Sequence, residues 1–146
     1  MEASPLAAAA VPLIADGMAH SRAPGRITDS HLARALFGSL AHCLQEVSAF
    51  AYLDADWGLL GTRHAPGRAS AAALSIRAVA LDVLAFRAAR VLMAHNHPRG
   101  DAVPSEGDLL ATRRLAGVLE ALGAPLHDHL ILAGEAWSSL RTMGLL

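Results

Sequence analysis

Two histidines, a serine and an aspartate at H-x-H-x7-S-x-x-D spacing constrain this chain more than any other feature. They lie in the stretch Ala94-His95-Asn96-His97-Pro98-Arg99-Gly100-Asp101-Ala102-Val103-Pro104-Ser105-Glu106-Gly107-Asp108. Histidines at i and i+2 of an extended segment point to the same side, so the rings of His95 and His97 can reach one ion. The turn residues Pro98, Gly100, Asp101 and Pro104 bring the chain back, so that Ser105 and Asp108 open a helix beside the strand end. Asp108 can then close the set. Ligands of N, N and O type leave a fourth tetrahedral position open for water, as in a catalytic zinc site and unlike a closed structural one.

Each half of the motif has a plainer reading. Ser105-Glu106-Gly107-Asp108 is also a helix capping box, in which Ser105 accepts from a first-turn amide and Asp108 returns the bond. A His-x-His pair alone is more often incidental than metal-binding, and His127-Asp128-His129 repeats it with no carboxylate at ligand spacing, which suits core or supporting histidines. The combination is harder to dismiss, because capping does not need the histidines and the apolar run Val91-Leu92-Met93-Ala94 leads straight into them.

A chain of 146 residues with 53% apolar and 17% charged residues can bury one core. All twelve basic residues are arginine, and the formal net charge of -1 exerts no global pull on a phosphate backbone. Cys43 is the single cysteine, so no intramolecular disulfide forms and a reducing compartment is expected. The apolar run Leu6 to Ile14 follows Glu2 rather than a basic segment and contains Pro12, which does not make a signal peptide. No stretch approaches the roughly 20 apolar residues of a membrane span. These features predict a cytoplasmic protein with no membrane partner.

Along the chain, residues 1–27 carry Pro5, Pro12, Gly17, Pro24 and Gly25 without a sustained period and read as a flexible arm. Thr28 or Asp29 should cap a helix with the stripe Leu32, Leu36, Leu40, Leu44. A strand is expected over Glu46 to Leu53, with Val47, Ala49, Ala51 and Leu53 on one face and Ser48, Phe50 and Tyr52 on the other. It turns at Asp54-Ala55-Asp56 and returns from Trp57 to about His64. Ser70 should cap a second helix burying Ile76, Val79, Val83 and Phe86, followed by a central strand at Val91 to Ala94. A third helix from Ser105 to Leu122 should bury Leu115, Val118, Leu119 and Leu122. A strand from Leu126 to Ala133, with His127 and His129 on one face, and a short closing segment complete the pattern. The expected fold class is α/β, a mixed sheet sandwiched by helices, with function at a strand end beside a helix N-terminus.

The phrase AHNHPRGDAVPSEGD resembles the HNHPSGD…PS..D segment of the JAB/JAMM (MPN+) metallopeptidase domain in its bacterial RadC-like branch, with Arg99 where that branch commonly has serine. TRRLAGVLEALGAPLHDHLILAG and the terminal SLRTMGLL are similar to the RadC continuation. The resemblance covers about residues 28–146, and the region from Arg63 to Leu74 departs from the pattern. It implies the JAB/JAMM, cytidine-deaminase-like architecture, with His95, His97 and Asp108 as ligands of one zinc ion per chain. It also implies that Ser105 donates a hydrogen bond near the reacting water or the developing oxyanion. The family uses an upstream glutamate as general acid/base. Here that residue is Glu46, since Glu2 lies in the arm and no other glutamate precedes the histidine pair. As a plain residue, Glu46 is an exposed charge at a helix-to-strand junction.

The resemblance therefore implies a zinc-dependent hydrolase of peptide or isopeptide bonds that uses a metal-activated water, with a peptide or protein as substrate. Two other readings stand beside it. RadC-like proteins carry a DNA-repair label, but no helix-hairpin-helix pattern is found in residues 1–27, which weighs against DNA. The site can also be that of a non-catalytic metal-binding interaction module. Arg99, Arg113 and Arg114 flank the motif and suit either an acidic partner or a solvated helix face. Substrate and oligomeric state are not legible from these residues.

Overall fold

A computed structural model describes residues 26–67 and 73–146. Residues 1–25 of the arm expected over 1–27, and the Ser70 cap, lie outside the described residues. Ile27, the last residue assigned to the arm, is buried, and its N–H donates to the Trp57 carbonyl over 3.0 Å.

Among the described residues, five strands and three helices form one mixed sheet with helices on both faces. In chain order these are α1 (Ser30–Phe37), β1 (Val47–Leu53), β2 (Leu59–Pro66), α2 (Ala73–Phe86), β3 (Arg90–Asn96), α3 (Glu106–Ala121), β4 (Leu126–Ala133) and β5 (Ala136–Ser139). The strand order is β2-β1-β3-β4-β5, with β3 and β4 parallel and every other pair antiparallel. The strand carrying His95 is therefore the central one. Like β1 and β4, it is hydrogen-bonded on both sides, which makes it a firm platform for the residues at its end.

Strand β1 alternates as its sequence implies, although both of its faces are buried. Val47, Ala49, Ala51 and Leu53 join Ala33, Phe37 and Leu40 in one core layer, and Phe50 and Tyr52 join Val79, Val83, Leu115 and Leu119 in the other. The first layer is closed by α1 and a 3-10 turn at Gly38–His42, the second by α2 and α3. Gly61 has no side chain because the Phe86 ring lies where its Cβ would be. The buried Asp82 carboxylate of α2 accepts from Tyr52 at 2.7 Å and from Arg63 at 2.5 and 2.8 Å. This pairing compensates a charge that would be costly to bury alone.

Three expectations need correction. The leucine stripe of the first helix faces the core only in part: Asp29 caps α1, Leu40 is buried and Leu36 packs against the core, but Leu32 and Leu44 are exposed, and Ala33 and Phe37 complete the buried face. The helix tightens into the 3-10 turn after Phe37, so the buried face passes from Phe37 to Leu40, three positions on, and the every-fourth-residue spacing does not continue to Leu44. On α3 the buried face is Asp108, Ala111, Thr112, Leu115 and Leu119, and Val118 and Leu122 are exposed. His127 and His129 do not share a face. Val91 lies opposite Leu126 but Leu92 lies opposite Asp128, so His127 is an extra residue in the β4 ladder. Such a bulge reverses the side-chain alternation. His127 stacks edge-on to Trp57 at 4.6 Å, and His129 turns to the opposite layer beside His95.

Candidate metal centre

The centre forms where the C-terminal end of β3 meets the N-terminus of α3. His95 is the penultimate residue of β3, and His97 follows it as the chain leaves the sheet, its N–H still bonded to the Leu132 carbonyl at 2.8 Å. Ser105 caps α3, with the Asp108 N–H donating to Ser105 Oγ at 3.1 Å and the Ser105 N–H donating to Asp108 Oδ2 at 2.8 Å. The capping box is thus present, and it also positions the third candidate ligand. One ligand atom each from His95, His97 and Asp108 lies within 4.8 Å of the others.

The Thr112 hydroxyl has one proton, which goes to the Asp108 carbonyl at 2.6 Å, so the 2.7 Å contact with His129 must be donated by His129 Nδ1–H. Burial pushes the His129 imidazole down to about 3, with His95 nearby adding to the effect, so the ring is neutral and its Nε2 is a lone pair. That lone pair accepts from His95 Nδ1 at 2.7 Å, leaving His95 Nε2 facing the site. His97 Nδ1–H donates to the Asp101 carbonyl at 2.7 Å, which leaves its Nε2 facing the site as well.

Between these nitrogens lies a carboxylate. Burial alone would push the Asp108 carboxyl up, but the contact with His95 and the Ser105 hydrogen bonds outweigh it and hold the group well below the usual range. His95 Nε2 and His97 Nε2 are 2.9 Å apart, with Asp108 Oδ1 3.2 Å from the first and Oδ2 3.2 Å from the second. Acceptor atoms this close repel unless they share a positive charge. Two atoms at about 2.0–2.2 Å from one ion, at the tetrahedral angle, stand about 3.3–3.6 Å apart. The observed spacings fall within a few tenths of an ångström of that, so the residues fit a small divalent cation.

Glu46 reaches the same end of the sheet. Ser48 pairs with His95 across β1 and β3, and the Gly67 N–H donates to the Glu46 carbonyl at 2.9 Å, carrying the β1–β2 ladder one residue further. Counting back two residues puts Glu46 opposite His97 and on the Ser48 face, the alternation that also carries His95. Glu46 is half-buried and lines an open cleft with Leu44, Gln45, Gly67, Pro98 and Arg99. Ser105 is exposed, and its hydroxyl proton is not used by the cap. Arg113 and Arg114 are exposed on α3, as for a solvated helix face.

Sequence reasoning did not single out Asn96 or Thr112. Asn96 points away from its flanking histidines: its Oδ1 accepts from Val47 N–H at 2.7 Å, and its Nδ2 donates to the Cys43 and Gln45 carbonyls at 3.0 Å each. The available signal for Thr112 was its place four residues after Asp108, on the same helix face.

Residues 27–145 match a family model described as a RadC-like JAB domain. A UPF0758 protein of Bordetella petrii is 37% identical over 109 residues, covering 74% of this chain and 48% of the relative. A UPF0758 protein of Acaryochloris marina is 39% identical over 110 residues, covering 75% and 45%. One from Ruegeria pomeroyi is 36% identical over 109 residues, covering 74% and 49%. The chain spans about half the length of these curated relatives. No described helix is long and apolar enough to cross a membrane.

Proposed function

Because the chain belongs to the RadC-like JAB domain family, we propose that it is a zinc-dependent hydrolase of peptide or isopeptide bonds. The observation that supports this reading is the convergence of His95 Nε2, His97 Nε2 and the Asp108 carboxylate, a donor set that could hold one metal ion. Nitrogen and oxygen donors in a three-ligand set suit zinc with one position left open. When bound, such an ion supplies Lewis acidity, lowering the pKa of water towards about 7 and polarising a carbonyl.

The chain's own residues do the rest. His95 and His97 turn Nε2 towards the site, and Asp108 supplies a carboxylate that its neighbours hold ionised. Ser105 Oγ–H, free of the cap, donates to the substrate carbonyl oxygen as it gains charge. Glu46, at the cleft lip, takes a proton from the attacking water and delivers it to the leaving amine nitrogen as the C–N bond breaks. The cleft beside Pro98 and Arg99 receives the substrate, a peptide or protein segment.

Metal analysis paired with a peptide-cleavage assay tests the reading. Purified protein should hold about one zinc per chain and cut members of a mixed peptide and isopeptide library, lose cutting with a chelator and regain it with added zinc. His97→Ala should lose both metal and cleavage. Metal without cleavage across such a library would leave a non-catalytic metal-binding module.

A further inference from the structure

We propose that Thr112 and His129 are positioning residues of the metal centre, holding His95 as the tautomer protonated at Nδ1 so that its Nε2 lone pair faces His97 and Asp108. The inference rests on the metal-binding reading above and extends it to residues that would not touch the ion.

A neutral imidazole has one N–H, and which nitrogen carries it decides which nitrogen can bind a cation. At His95 that choice is set by His129 Nε2, 2.7 Å from His95 Nδ1. His129 can accept there only if its own proton sits on Nδ1, and Thr112 Oγ1 receives that proton at 2.7 Å. Thr112 is committed as an acceptor because its single proton is given to the Asp108 carbonyl at 2.6 Å. The series thus begins at the backbone of one candidate ligand and ends at the ring of another. It runs from α3 across to β4 and on to β3, and so also fixes the distance between His95 and Asp108.

Burial makes the arrangement strict. His95 and His129 are fully buried and Thr112 is 1% exposed, so water cannot replace a missing partner. The β4 bulge at His127 brings His129 onto this face; without the extra residue its side chain would enter the opposite layer. Partners that orient ligating histidines in this way typically contribute 10–100-fold to metal affinity.

Zinc affinity, measured by competition with a chromophoric chelator, tests the proposal without relying on activity. Thr112→Val keeps the shape but removes the hydroxyl. It should bind zinc about 10–100-fold more weakly than the unmodified chain, under conditions where a denaturation curve shows both fully folded. Thr112→Ser should restore most of the affinity, and His129→Phe should weaken it at least as much as Thr112→Val. A merely structural Thr112 would lower the unfolding midpoint and leave zinc affinity unchanged, which would overturn the proposal. Equal weakening in Thr112→Ser and Thr112→Val would overturn it too, since the hydroxyl would not be the cause. If the unmodified chain takes up no zinc, the metal-binding reading itself fails; zinc uptake unaffected by Thr112→Val sinks only the positioning role.

Discussion

Asn96 Oδ1 accepts a 2.7 Å hydrogen bond from the Val47 N–H, tying the residue between His95 and His97 to the residue after Glu46. With its two bonds to the Cys43 and Gln45 carbonyls, one buried amide holds the whole turn that delivers Glu46 to the cleft. Replacing it with Leu leaves three backbone groups without their partner, at about 1–3 kcal/mol for each that water cannot reach. Asn96→Leu should therefore lower the unfolding midpoint clearly. In the folded fraction, cleavage should fall more than zinc affinity, because the turn carries Glu46 and no metal ligand. Cleavage and affinity falling in step would mean that Asn96 acts through the histidines instead.

Glu46→Gln keeps size and hydrogen-bonding capacity but cannot carry a proton. Zinc content and stability should survive, and turnover should drop by about 100-fold or more, the usual weight of a general acid/base. Turnover close to that of the unmodified chain would remove Glu46 from the chemistry.

Ser105→Ala should show two separable effects. Loss of the cap on α3 should cost about 0.5–2 kcal/mol of stability, read from chemical denaturation. Loss of the hydroxyl proton should lower turnover by about 100-fold or more if it meets the oxyanion. The first effect without the second would make Ser105 a cap alone.

Acid should destabilise the metal-free protein before the carboxylates titrate. Burial lowers His129 to about 3 and also lowers His64 and His127, against about 6.5 for an imidazole in the unfolded chain. Below about pH 6.5 the unfolded state binds protons that the folded state refuses. The contribution of these rings is therefore complete above that pH and fades as pH falls, for His129 by about 1–2 kcal/mol by pH 5. Urea midpoints taken with chelator from pH 7.5 to 5 should fall steadily. A flat profile would mean that His129 is not held neutral.

The cluster of His95, His97 and Asp108 was legible in the sequence because local rules govern it: i, i+2 alternation at a strand end, a turn rich in proline and glycine, and a capping box four residues long. Strand alternation in β1 and the apolar run of β3 were legible for the same reason. Sequence also marked Glu46, the glutamate that precedes the histidine pair outside the arm. Tertiary structure alone decided the rest. The change of pitch after Phe37, which carries the buried face to Leu40 and away from Leu44, and the bulge at His127 each shift register by less than one repeat, and periodicity does not detect such shifts. Asn96 binding residues 43–47, and Thr112 serving His129, join segments 17 to 53 residues apart. No local pattern encodes such pairings, because the partners meet only when β1, β3, β4 and α3 are packed around one core.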